Sequence, residues 1–138
     1  MSQGIALEGM RLVTTYLPRA YATPNDLEAR AHMMSAAAMG ATAFQKGLGA
    51  IHAMSHPVGA VFNTHHGTTN AVCMPAVLAF NADTIRGRFD QAAAYLGIDG
   101  GFDGFCEFVQ QFNDSFAIPR TLTEMGVSED RLDDLVAM

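Results

Sequence analysis

Basic side chains are scarce in this chain: eight lysines and arginines stand against fourteen aspartates and glutamates, for a formal net charge of −6. They are scattered singly, so no phosphate-tracking stripe forms, and the balance argues against a nucleic-acid binder driven by backbone contacts. Cysteine is scarcer still. Cys73 and Cys106 lie far apart in apolar company and read as two buried free thiols. No basic stretch followed by an apolar run opens the sequence, so nothing reads as a signal peptide. The longest apolar run, residues 71–80, is about half the length a membrane helix needs. These absences lead to the expectation of a cytoplasmic protein with neither a nucleic-acid nor a membrane partner. Clean strand alternation between hairpin turns is missing as well, and so are internal repeats and low-complexity tracts.

What remains is a helical pattern. The 138 residues are 49% hydrophobic and 16% charged, enough for one globular domain with a core. The expectation is a single all-α domain over 1–138. Ala6, Met10, Val13 and Leu17 make a helical stripe that Pro18 should end. Asn25 with Glu28 resembles a capping box for a second helix over about 26–45. That helix contains MMSAAAMGATAF, rich in small residues and Met and apolar nearly all round, so it should be central and closely packed. Its methionines read as core filling rather than a soft-metal stripe. A third helix carries Ile51 to Ser55 and should close at Pro57, with 58–65 as a connection. Helices over about 70–79, 84–96 and 102–116 follow, then a short one from Thr121 to Gly126 and a last one capped by Ser128. Pro75 would be tolerable only near a first turn or at a kink.

Chemistry concentrates in one stretch. Four of the five histidines, His52, His56, His65 and His66, fall within fifteen residues of GLGAIHAMSHPVGAVFNTHHGTTNA. His52 and His56 are four apart, so both rings share a helical face. His66 comes one short connection later, directly before Gly67. Imidazole is the commonest protein ligand for transition metals and a common proton carrier. Two rings on one face plus a third nearby could form a partial shell for Zn or Fe; a hydrogen-bonding or surface cluster fits the spacing equally. One of the adjacent pair His65 and His66 must point away, and His65 reads as the solvated one. Glu28 and His32, four apart, are the other histidine–carboxylate pair at helical spacing and read as a surface pair. A divalent metal with an open position would polarise an alcohol or carbonyl oxygen, which suits alcohol–carbonyl interconversion and hydrolysis alike.

The stretch GLGAIHAMSHPVGAVFNTHHGTTNAVCMPAVLAFN resembles the pattern GLGxxHAxxHxxGxxxxxPHGxxNAxxLPxVxxFN of the iron-containing (group III) alcohol dehydrogenases. The flanks ALEGMRLVTTYLPRA, NDLEARAHMMSAAAMGATAFQKG and IPRTLTEMGVSEDRLDDL also look like that family, so the resemblance spans nearly the whole chain. It implies an oxidoreductase that passes hydride between an alcohol or aldehyde and the nicotinamide of NAD or NADP. In the family, an α/β domain holds the nucleotide and an all-helical domain holds Fe(II), or sometimes Zn, through an Asp and three His. By motif, His52 and His66 correspond to two of the metal ligands. His56 corresponds to a histidine near metal and nicotinamide, a catalytic and cofactor-positioning candidate. His65 stands where the family often has Pro.

The family's other two ligands, an Asp and a His four residues later, have no counterpart here, and no glycine-rich dinucleotide fingerprint follows a strand. The resemblance therefore implies a truncated piece of the helical metal-binding domain, inactive by itself, with an incomplete metal site and no NAD(P) site. The remaining readings are a non-catalytic helical domain that self-associates as a homo-oligomer through exposed apolar surface, and a standalone metal-binding or hydrolytic protein.

Overall fold

The computed structural model describes residues 1–136, and all regular structure among them is helical. In chain order these are α1 (Ser2–Ala22), α2 (Leu27–Phe44), α3 (Ala50–Phe62), α4 (His66–Phe80), α5 (Ala82–Leu96) and α6 (Gly101–Ser115). Two single 3-10 turns, Thr123–Met125 and Glu129–Arg131, lead into α7 (Leu132–Val136). None of these helices is long and apolar enough to cross a membrane. The chain gathers into two compact units. One is Met1–Gly47 with Tyr95–Gly97; the other is Leu48–Ala94 with the described residues from Ile98 onward.

In the first unit α1 packs against α2. Pro18 does not end α1, contrary to the sequence expectation: the helix continues to Ala22, where the Thr23 N–H donates to the Arg19 carbonyl at 2.8 Å. So close to the end, the proline forfeits a single helical bond, the one its own nitrogen would have made to Thr14. The cap of α2 is Asp26 rather than Asn25, its carboxylate accepting from the Ala29 N–H at 3.0 Å. Small residues do permit close approach: a side chain added at Gly9 would meet the Met39 Cβ at 3.4 Å. The expectation that α2 is central fails, however. Its buried residues are Ala29 and Ala36, while Leu27 and Met34 are 79% and 75% exposed. Close packing needs only one stripe, and α1 covers only that stripe. Glu28 and His32 do not pair. Glu28 and Asp26 both accept from Arg19, at 2.7 and 2.8 Å, and His32 stacks on Tyr16 with ring centroids 4.0 Å apart.

In the second unit two prolines lie inside helices: Pro57, expected to close one, and Pro75, expected only near a first turn or at a kink. Pro57 sits within α3, which runs on to Phe62, so the connection to α4 shrinks from 58–65 to Asn63–His65. Asn63 closes α3 in the left-handed conformation (φ 52°), which asparagine tolerates better than most residues. Pro75 lies two-thirds of the way along α4 and leaves the Ala71 carbonyl without its helical donor. The missing donor comes from another helix: the Asn113 side-chain amide of α6 donates to the Ala71 carbonyl at 3.0 Å. A tertiary hydrogen bond thus makes a mid-helix proline tolerable and ties α6 to the helix that carries His66.

The rest of this unit follows its apolar periodicity. Phe102, Phe105 and Val109 of α6 are buried, and Phe89 of α5 meets the Phe102 and Phe105 rings edge-on at 6.1 and 4.9 Å. Asp90 of α5 accepts from the Phe102 N–H at 2.8 Å, a negative charge at the positive end of α6. The turn into α6 uses positive φ at Gly97, Gly100 and Gly101, the helix's first residue. Both cysteines are free, and Cys73 is buried; Cys106 is only half-buried, which corrects the expectation of two buried thiols. Burial pushes both thiols above their ordinary range.

Asn113→Ala is expected to lower stability by about 1–3 kcal/mol, because the Ala71 carbonyl then has neither donor; denaturant unfolding measures this. In the first unit, Arg11 donates twice to the Glu8 carboxylate, at 2.7 and 2.6 Å, and Tyr95 donates once at 2.9 Å. These bonds, Arg11's first, lower the Glu8 pKa from the ordinary 4.5 to about 2. Their stabilisation is full above 4.5 and is lost as pH falls toward 2. A carboxyl-carbon NMR titration should place the Glu8 midpoint near 2, with Tyr95→Phe moving it upward.

Candidate metal centre

The α3–α4 pair brings three of the four clustered histidines together. His52 and His56 lie one turn apart on α3, and their ring centroids are 5.5 Å apart. His66, the first residue of α4, lies 5.2 Å from His52 and 5.5 Å from His56 by the same measure. One ring nitrogen from each of the three falls within 4.8 Å of the others. His52 is half-buried, whereas His56 and His66 are exposed. Burial lowers the His52 pKa, and the neighbouring His66 and His56 add to the effect. A neutral imidazole keeps a lone pair, the form a metal needs.

The fourth histidine stays out. His65 caps α4: its Nδ1 accepts from the Thr68 N–H at 3.3 Å and lies 3.1 Å from the Thr68 hydroxyl. It is exposed, in keeping with its reading as the solvated one of the adjacent pair. Capping by His65 fixes the start of α4, and so the place from which His66 projects. Thr69 adds to this, its hydroxyl donating to the His65 carbonyl at 3.0 Å and lying 2.8 Å from the Thr64 hydroxyl.

Asn70 is a site residue the sequence reading did not single out. Its amide nitrogen lies 3.3 Å from His52 Nε2 and 3.1 Å from His66 Nε2. Its Oδ1 accepts from the Ser55 hydroxyl at 2.5 Å. Ser55 is 1% exposed and sits between the two histidines of α3. The signal available in the sequence was spacing: Asn70 is one turn after His66, so it shares that helical face.

Donors about 2.1 Å from one ion in a tetrahedral array lie about 3.4 Å apart. The observed spread of up to 4.8 Å is closed by side-chain movements of about an ångström. Three imidazole nitrogens suit Zn or Fe(II) better than the hard cations, which favour oxygen. The residues present fit such a metal.

The model for the C-terminal region of the Fe-containing alcohol dehydrogenase family matches residues 1–138. The chain belongs to the iron-containing alcohol dehydrogenase family. It is 40% identical to a 4-hydroxybutyrate dehydrogenase of Cupriavidus necator over 99% of this chain and 38% of that protein. It is 36% identical to an NAD-dependent methanol dehydrogenase of Bacillus methanolicus, over 96% of this chain and 37% of that one. Among solved structures, a 1,3-propanediol oxidoreductase superposes with a TM-score of 0.92 at 28% identity, covering 99% of this chain and 38% of that one. A sulfoacetaldehyde reductase from Bifidobacterium kashiwanohense, solved in complex with NAD+, gives 0.88 at 25% identity, covering 99% and 36%. The all-α architecture is thus that of the C-terminal helical region of iron-containing alcohol dehydrogenases. The chain spans less than two-fifths of the length of these relatives.

Proposed function

We propose that this chain supplies part of the metal-binding domain of an NAD(P)-linked, iron-dependent alcohol dehydrogenase or aldehyde reductase, working in the cytoplasm on a small alcohol or aldehyde. The observation that carries the reading is the convergence of His52, His56 and His66 in a chain of this family. His52 and His66 are the metal ligands in this reading, projecting from α3 and from the first residue of α4. The metal, Fe(II) or Zn, would supply positive charge beside the substrate oxygen. The family's Asp and remaining His have no counterpart in residues 1–138, so two histidines give only part of a shell. The rest of the coordination, and the nicotinamide site, lie outside this sequence in the proposed enzyme.

His56 takes the positioning and proton role. It is exposed, close to both proposed ligands and on the same face as His52. An imidazole there can accept the hydroxyl proton of an alcohol, or return one to a carbonyl oxygen, as hydride moves between carbon and nicotinamide. Alcohol and oxidised cofactor then give carbonyl, reduced cofactor and one proton.

Metal titration of the 138-residue chain tests the ligand assignment. Zn(II) or anaerobic Fe(II) should bind, His52→Ala and His66→Ala should each weaken binding by at least about tenfold, and His56→Ala should leave it near wild type. Stoichiometric metal retained by both ligand variants would sink the assignment.

A second reading, self-association without catalysis, is favoured by exposed apolar side chains. In the first unit these include Leu27 and Met34; in the second, Phe80 is 89% exposed. Light scattering should find a homo-oligomer, and a monomer at high concentration would remove this reading.

A further inference from the structure

We propose that Asn70 is the positioning residue of the histidine cluster: anchored by Ser55, its amide fixes His52 and His66 as the tautomers whose Nε2 lone pairs meet at one point. The inference rests on the reading of His52 and His66 as metal ligands, and it concerns how the chain prepares them. In the orientation the amide takes here, its bonds run in one sense. The Ser55 hydroxyl donates to Oδ1, which turns the NH2 group toward the two rings. That group has two hydrogens and no lone pair to offer. One hydrogen faces His52 Nε2 at 3.3 Å and the other His66 Nε2 at 3.1 Å. Both Nε2 atoms must therefore accept, so each neutral ring carries its proton on Nδ1.

Two consequences follow for binding. Each Nε2 presents a lone pair without first shedding a proton. Both lone pairs aim at a common point, because a single nitrogen meets them. Rotation of the exposed His66 ring is restrained before any ion arrives. When the ion binds, the amide must yield the lone pairs, and it can swing about Oδ1, which Ser55 holds from a site closed to solvent. Partners that orient ligand imidazoles, as a rule through the ring nitrogen the metal leaves free, change metal affinity by about ten- to a hundredfold when removed.

The test has two readouts on the metal-free and zinc-titrated 138-residue chain. Imidazole 15N NMR of the metal-free wild type should give His52 and His66 a protonated Nδ1 and an unprotonated Nε2. Asn70→Ala should mix the tautomers and weaken zinc binding by about tenfold in competition with a chromophoric chelator. Asn70→Asp keeps the side-chain shape and an acceptor for Ser55 but presents no donor, so it should drive both rings toward Nε2–H. Unchanged tautomers in Asn70→Ala, or wild-type zinc affinity in that variant, would overturn the proposal. Failure of the metal reading looks different: the wild type would bind no zinc, while the Asn70-dependent tautomers persisted. Circular dichroism of each variant checks that the helices survive.

Discussion

Two buried hydroxyls give the join between α3 and α4 its direction. Ser55 and Thr69, one on each helix, are 1% and 0% exposed, and apolar side chains such as Val58 of α3 and Cys73 of α4 are buried as well. An apolar pair could fill the same space, but it would fix neither rotation nor register, because burial energy has no direction. Hydrogen bonds do have direction, and leaving such groups unpaired inside the protein costs about 1–3 kcal/mol each. Ser55 spends its proton on Asn70, and Thr69 ties into Thr64 and the His65 carbonyl. Every histidine of the cluster is within four residues of one of these two hydroxyls in sequence. Ser55 reaches His52 and His66 through Asn70, and Thr69 holds the backbone just before His66.

The helices themselves were legible in one sequence, because apolar periodicity and glycine punctuation are local signals. The pairing of His52 with His56 was legible for the same reason: spacing of four is a local property. His66 joined them only through the family resemblance and the short connection. Prolines misled the reading at positions 18 and 57, and Pro75 fell in a place that local rules disfavour. Whether a proline ends a helix depends on what becomes of the carbonyl four residues earlier. For Ala71 the answer lies forty-two residues downstream, at Asn113, which no local rule can find. Asn70 escaped notice similarly. A lone amide in an apolar helix is unremarkable until two rings and a buried serine are arranged around it.

Helix α2 marks a different limit. Composition correctly indicated tight packing, but it could not tell how many faces would be covered. Alanine and glycine let α1 approach along one stripe, and Leu27 and Met34 remain open on others. An apolar sequence reports the capacity to be buried; a neighbour must still supply the burial. The relatives are more than twice as long as this chain.

The bond from Asn113 to Ala71 also constrains how this sequence can drift. Loss of the asparagine while Pro75 remains strands a carbonyl, whereas loss of the proline first restores an N–H that can take over. The two positions are therefore epistatic, and the accessible order of substitution runs through residue 75 before residue 113. Lineages carrying a different residue at 75 should be free to vary at 113, and those that retain the proline should not.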